Sequence, residues 1–91
     1  MRFDYRDIEV LLAQLLELVV GNFTDAEVQE VQEFVDVGEY GLALETFVGI
    51  VDEENKLIPQ TVLACVRKSA DVMQLDESAF NAKLRGRVSD G

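Results

Sequence analysis

Ten carboxylates crowd the stretch from Thr24 to Asn55, and no lysine or arginine stands among them: Asp25, Glu27, Glu30, Glu33, Asp36, Glu39, Glu45, Asp52, Glu53 and Glu54. Groups of this type could do three kinds of chemistry. A pair could exchange protons as general acid and base, but that needs an apolar pocket to set the two carboxyls apart. The helical spacing here puts them on exposed faces instead. They could hold a cation, yet Asp52-Glu53-Glu54-Asn55 lacks the alternating acidic spacing of a calcium loop and the glycine at its sixth position. The third use is to present a negative field to a cationic partner.

Little else in the chain offers chemistry. There is no histidine and a single cysteine, Cys65, which removes internal disulfides, Cys/His zinc sites and histidine-dependent triads. Cys65 falls beside an apolar stripe and reads as a small core residue. Gly38 and Gly41 are not followed by the Lys-Ser/Thr of a phosphate loop. Asn22-Phe23-Thr24 matches a glycosylation acceptor, but the threonine is better explained as a helix cap. No assembled catalytic site is visible, so neither enzyme activity, a cofactor nor a metal is expected.

The acidic stretch needs a scaffold, and Gly38 sets its corner. Glycine without a Cβ takes the left-handed conformation that closes a helix, and an apolar-periodic run restarts after it. Glu39 is placed to accept from the unpaired N–H groups of the helix that follows. Before the corner, Thr24-Asp25-Ala26-Glu27 is a capping box opening a helix whose inner side is Val28, Val31, Phe34 and Val35. After it, a helix from about Glu39 to Glu54 turns Tyr40, Ala43, Leu44, Phe47, Ile50 and Val51 inward. Gly49 inside that helix either admits a close neighbour or is simply tolerated.

Three further helices should cover the hairpin. Asp4 and Asp7 open the first, in which Ile8, Leu11, Leu12, Leu15, Leu16 and Val19 recur at helical spacing until Gly21-Asn22. Pro59 fits the first position of a fourth helix, with Val62, Leu63, Val66, Ser69, Ala70 and Met73 as its stripe. Asp76 starts a short fifth carrying Ala79, Phe80 and Leu84, and the segment from Arg85 to Gly91 reads as frayed. No period-two run of β-branched residues appears, so no sheet is expected. The fold class is all-α, a small bundle of about four to five helices.

Ninety-one residues make one domain, 1–91, with one modest core, and 48% hydrophobic content is enough to fold it. The apolar run from Ile8 to Val20 contains Glu9, Gln14 and Glu17 and is too short to span a bilayer. It lacks a signal-peptide cleavage pattern, and with one cysteine the expectation is a cytoplasmic protein. A net charge of −10 opposes binding to nucleic acid or to an anionic membrane. That charge is not spread evenly. Residues 1–23 hold two basic and four acidic groups, and residues 56–91 hold six and four. The helical hairpin thus carries the whole imbalance, including like-charge pairs such as Glu30/Glu33 and Glu33/Asp36 that each cost a few tenths of a kcal/mol. Retaining them suggests a cationic partner that neutralises them. The candidate contacts are Glu33, Asp36, Glu39, Glu45, Asp52 and Glu53, with Tyr40 either an interface anchor or buried between helices.

The run from Glu33 to Glu45, Glu-Phe-Val-Asp-Val-Gly-Glu-Tyr-Gly-Leu-Ala-Leu-Glu, resembles the signature of small Maf-type immunity proteins. These accompany bacterial polymorphic toxins, including those of contact-dependent growth inhibition. The resemblance spans roughly residues 8–76, with its specific part in that run. It implies an all-helical cytoplasmic antidote that binds a cognate toxin domain one to one, a nuclease in many cases, and covers its cationic cleft. The words Gly38-Glu39-Tyr40 and Ala43-Leu44 also resemble the helix junction of a tetratricopeptide repeat, which would imply a peptide- or protein-binding adaptor. Only one such hairpin is present, whereas stacked repeats need about three. A DNA-reading helix-turn-helix would need Arg or Lys after the corner, and none occurs up to Asn55.

Overall fold

The computed structural model describes residues 5–89. Five helices make the domain: α1 (Tyr5–Leu18), α2 (Asp25–Asp36), α3 (Tyr40–Glu53), α4 (Gln60–Val72) and α5 (Glu77–Leu84). The all-α expectation is met. The expected cap at Asp4 lies outside the described residues. Pro59 sits one position earlier than expected, as the N-cap of α4 rather than its first helical residue.

The core is built largely from the predicted stripes, with Val48 added to them and Leu11, Leu63 and Met73 only half-buried. Ile8, Leu12, Leu15, Leu16 and Val19 of α1 meet Leu44, Phe47, Val48 and Val51 of α3 and Val62, Val66 and Ala70 of α4. Phe47 is fully buried and stacks on Phe23, ring centroids 4.9 Å apart. Truncating such a ring to alanine costs about 3–5 kcal/mol. α1 lies mainly on α4, α2 on α3, and α5 closes the far side of α3. Ser69, the one buried polar side chain among the described residues, donates its hydroxyl to the Cys65 carbonyl at 2.8 Å.

Three helices end by the same device. After α2, Gly38 (φ +78°) donates to Val35 O at 3.0 Å and Glu39 to Phe34 O at 2.9 Å. After α3, Asn55 (φ +52°) donates to Asp52 O and Lys56 to Val51 O; after α4, Gln74 (φ +58°) donates to Asp71 O and Leu75 to Ala70 O. This paired pattern is a Schellman motif, which satisfies carbonyls that the helix leaves without partners. Asp76 caps α5 by accepting from Ser78 N–H at 2.9 Å.

Two expectations are corrected here. A short parallel pairing does exist: β1 (Ile58–Pro59) runs beside β2 (Val88–Ser89), with Ile58 opposite Val88. The tail leading into it is not frayed. Arg85 (φ −61°, ψ 127°) and Gly86 (φ +81°) form a type II turn closed by Arg87 N–H on Leu84 O at 2.9 Å. The Arg87 carbonyl then accepts from Ile58 N–H at 2.8 Å, and its guanidinium grips Asp52. Two residues per strand carry no alternating pattern, so the pairing left no trace in hydrophobic periodicity.

Candidate partner-binding site

The acidic hairpin is fixed at its open end by one lysine. Thr24 accepts from Glu27 N–H at 3.1 Å while the Glu27 carboxylate accepts from Thr24 N–H at 2.9 Å, the reciprocal capping box. Lys56 reaches across from the end of α3 to the same carboxylate at 3.0 Å, to Asn22 O at 3.0 Å, and over the Phe23 ring. The Glu27 carboxyl is held below its ordinary range, chiefly by the Thr24 N–H; partial desolvation opposes this and Lys56 adds to it.

Asp52 is the other carboxylate of the hairpin in an ion pair among the described residues. The Arg87 guanidinium donates to its carbonyl at 3.2 Å and to its Oδ1 at 3.3 Å. Asp52 therefore serves the attachment of the C-terminal segment and is not an unpaired carboxylate of the acidic face. The arginine lies 35 residues away in sequence, a distance that local charge counting does not bridge.

The other predicted residues take distinct places. Glu33, Asp36, Glu39, Glu45 and Glu53 are all solvent-exposed. Asp36 accepts from Gln32 one turn earlier at 2.8 Å. Glu39 stands at the N-cap of α3 but its side chain makes no capping bond, contrary to expectation; its carbonyl accepts from Ala43 N–H at 3.0 Å. Glutamate is one methylene longer than the residues that curl back well onto N2 or N3. The carboxylate is left in solvent as a result. Tyr40 is half-buried, and its hydroxyl donates to Glu9 Oε2 at 2.6 Å, tying α3 to α1. It also edges a recess of about 240 Å³ together with Ile8, Glu39, Met73 and Leu75.

The hairpin brings Glu45 and Glu53 together with a residue outside the predicted set. Glu30 from α2 joins them along one groove, whose floor is Thr46, Gly49 and Ile50, and Lys83 of α5 stands at its edge. Folding the chain back about Gly38 puts Glu30, eight residues before it, level with Thr46, eight residues after. That register was available in the sequence. Gly49 is the floor of this groove rather than a point of helix contact, since a Cβ built there would meet no atom within 4 Å.

The surface thus consists of an α2 outer face (Glu33, Asp36), an inter-helix groove (Glu30, Glu45, Glu53) and a corner (Glu39, Tyr40). Among the described residues, no group of three or more Cys, Asp or Glu side chains is placed to share a metal ion. No described helix is long and apolar enough to cross a membrane. What the arrangement offers chemically is a field and a set of hydrogen-bond acceptors. Comparison with known proteins gives no match to any family model, curated protein or solved structure.

Proposed function

We propose that this chain is a cytoplasmic immunity protein that binds a basic toxin domain one to one and blocks its substrate cleft with the α2–α3 hairpin. The observation that carries this reading is the hairpin's unneutralised charge. Glu27 and Asp52 have cationic partners, while Glu30, Glu33, Asp36, Glu39, Glu45 and Glu53 project to solvent with no ion pair among the described residues. A nuclease cleft is lined by cations that grip phosphates. Rows of carboxylates at helical spacing would occupy those phosphate positions and exclude the nucleic acid. The likeness of residues 33–45 to immunity-protein sequences points the same way. A peptide-binding adaptor has less support, because the α2–α3 hairpin has no second copy to stack on among the described elements.

The test is co-expression with candidate basic toxin domains. Protection of growth, and a complex of one chain of each that weakens as salt is raised, is the expected result. A complex indifferent to salt, or no complex with any basic toxin domain, refutes the reading.

A further inference from the structure

A second face of the molecule has the chemistry of an interface and lies apart from the acidic hairpin. α1 and α4 pack antiparallel, and two grooves run end to end between them. The first holds Asp7, Val10, Leu11, Gln14 and Lys68; the second holds Gln14, Glu17, Leu18 and Cys65. Gln14 is common to both and marks their midpoint. None of the acidic residues of α2 or α3 lines either groove.

Val10 and Leu18 are 55% and 48% exposed, large apolar side chains on the outer face of a helix whose other face is core. They lie four residues either side of Gln14. Two copies of α1 laid antiparallel across a twofold axis at Gln14 therefore set Leu18 of one copy on Val10 of the other, twice. The same operation sets Glu17 over Leu11, in the groove that Lys68 lines. Neither Glu17 nor Lys68 has a side-chain ion pair within the described chain. The apolar pair and the Glu17–Lys68 pairing thus match under one symmetry operator, with Asp7 the one like-charged neighbour that Glu17 of the other copy meets in that groove. Self-association through the hairpin would bring like charges together, whereas this face carries both signs.

We infer that the α1–α4 face binds a second copy of this chain, giving a twofold dimer that leaves both acidic hairpins outward. The inference does not rest on the immunity reading, since a dimer forms or fails whatever the hairpin binds. α1 is about 21 Å long, so the interface is at the small end of specific contacts, and a dissociation constant on the order of 10 µM is expected.

Sedimentation equilibrium from about 1 µM to about 500 µM tests this. The apparent mass should rise from the 10.2 kDa of one chain toward twice that value. Leu18→Glu should abolish the rise with helical content intact, since the side chain is half-exposed. Glu17→Lys and Lys68→Glu should each weaken the dimer about tenfold, and combining them should restore it. Independently, Gln14→Cys in a Cys65→Ser background should form an intermolecular disulfide on mild oxidation, because residue 14 meets its own copy on the axis. A wild-type chain that stays monomeric throughout overturns the proposal. So does a dimer indifferent to Leu18→Glu, or one that does not cross-link at position 14. A monomer whose Leu18→Glu variant loses a basic partner would assign the face to that partner and equally overturn it.

Discussion

Glycine and side-chain-bearing residues stand in exchanged places at two positions, and both have measurable consequences. Gln74 holds φ +58°, a conformation that glycine adopts freely and L-residues at a cost of roughly 1–2 kcal/mol. Gly49 sits inside α3 with open space where a Cβ would go. Gln74→Gly should therefore stabilise the fold by about 0.5–1 kcal/mol, net of the greater freedom of the unfolded chain. Gly49→Ala should add about 1 kcal/mol by helix propensity. Thermal unfolding reads both, with about 4–8 °C expected per kcal/mol in a domain of this size. A fall in melting temperature for Gln74→Gly would mean that its side chain makes a compensating contact. At Gly38, by contrast, φ is +78° and glycine already fits, so Gly38→Ala should lose about 1 kcal/mol.

Glu27 gives the residue scale its pH dependence. A carboxyl whose pKa is lowered by folding stabilises the native state above its unfolded value, and that contribution is lost as pH falls through the lower, folded one. Glutamine at the same position can still accept from Thr24 N–H but cannot pair with Lys56 as an anion. Glu27→Gln should thus be less stable than wild type at about pH 7, with the gap closing toward about pH 3. Glu27→Ala should lose about 1 kcal/mol at neutral pH through the cap itself. Urea midpoints for the three chains at both pH values check the sign. A gap that widens on acidification would contradict it.

At the scale of elements, the contact least visible in the sequence is the one between the C-terminal segment and the end of α3. Ile58 is fully buried, donates its N–H to Arg87 O, and pairs with Val88. Removing residues 86–91 would leave that N–H without its acceptor and expose Ile58. A loss of about 1–3 kcal/mol is expected, read as a lower urea midpoint, with Arg87→Ala costing less because the β2 backbone remains. The helices themselves were legible because each buries a stripe at helical spacing and opens on a side chain suited to the cap, as with Thr24 and Asp76. The corner at Gly38 was legible for the same local reason. Asn55 and Gln74 close their helices in the same way, but a left-handed residue that is not glycine carries a weak signal. Arg87 was misread because its partners, Asp52 and Ile58, are distant in sequence, and two-residue strands have no period to detect. Of the candidate site, charge and exposure were readable from composition and helical phase. Which carboxylates were already engaged was not, since tertiary ion pairs decide it.

The whole molecule separates what holds the fold from what would bind a partner, and this separation predicts an unusual pairing of effects. Reversing Asp52 would disturb the Arg87 attachment, so it cannot distinguish binding from stability. Glu30, Glu45 and Glu53 can, because they are exposed, share one groove and make no ion pair among the described residues. Glu30 also has Glu27 and Glu33 three residues to either side, and relieving such repulsion is worth a few tenths of a kcal/mol per pair on a helix surface. The triple variant Glu30→Lys, Glu45→Lys, Glu53→Lys removes six units of negative charge from a chain of net −10. Its melting temperature should be unchanged or slightly higher at low salt. Its association with a basic toxin domain should slow by roughly 10- to 1000-fold at low salt and by much less at high salt, as expected when steering is lost. Stopped-flow association at two ionic strengths, with circular dichroism melts of the same preparations, measures both halves. Protection and rates equal to wild type would show that a partner is met through another surface, and the charge on the hairpin would then have no part in binding.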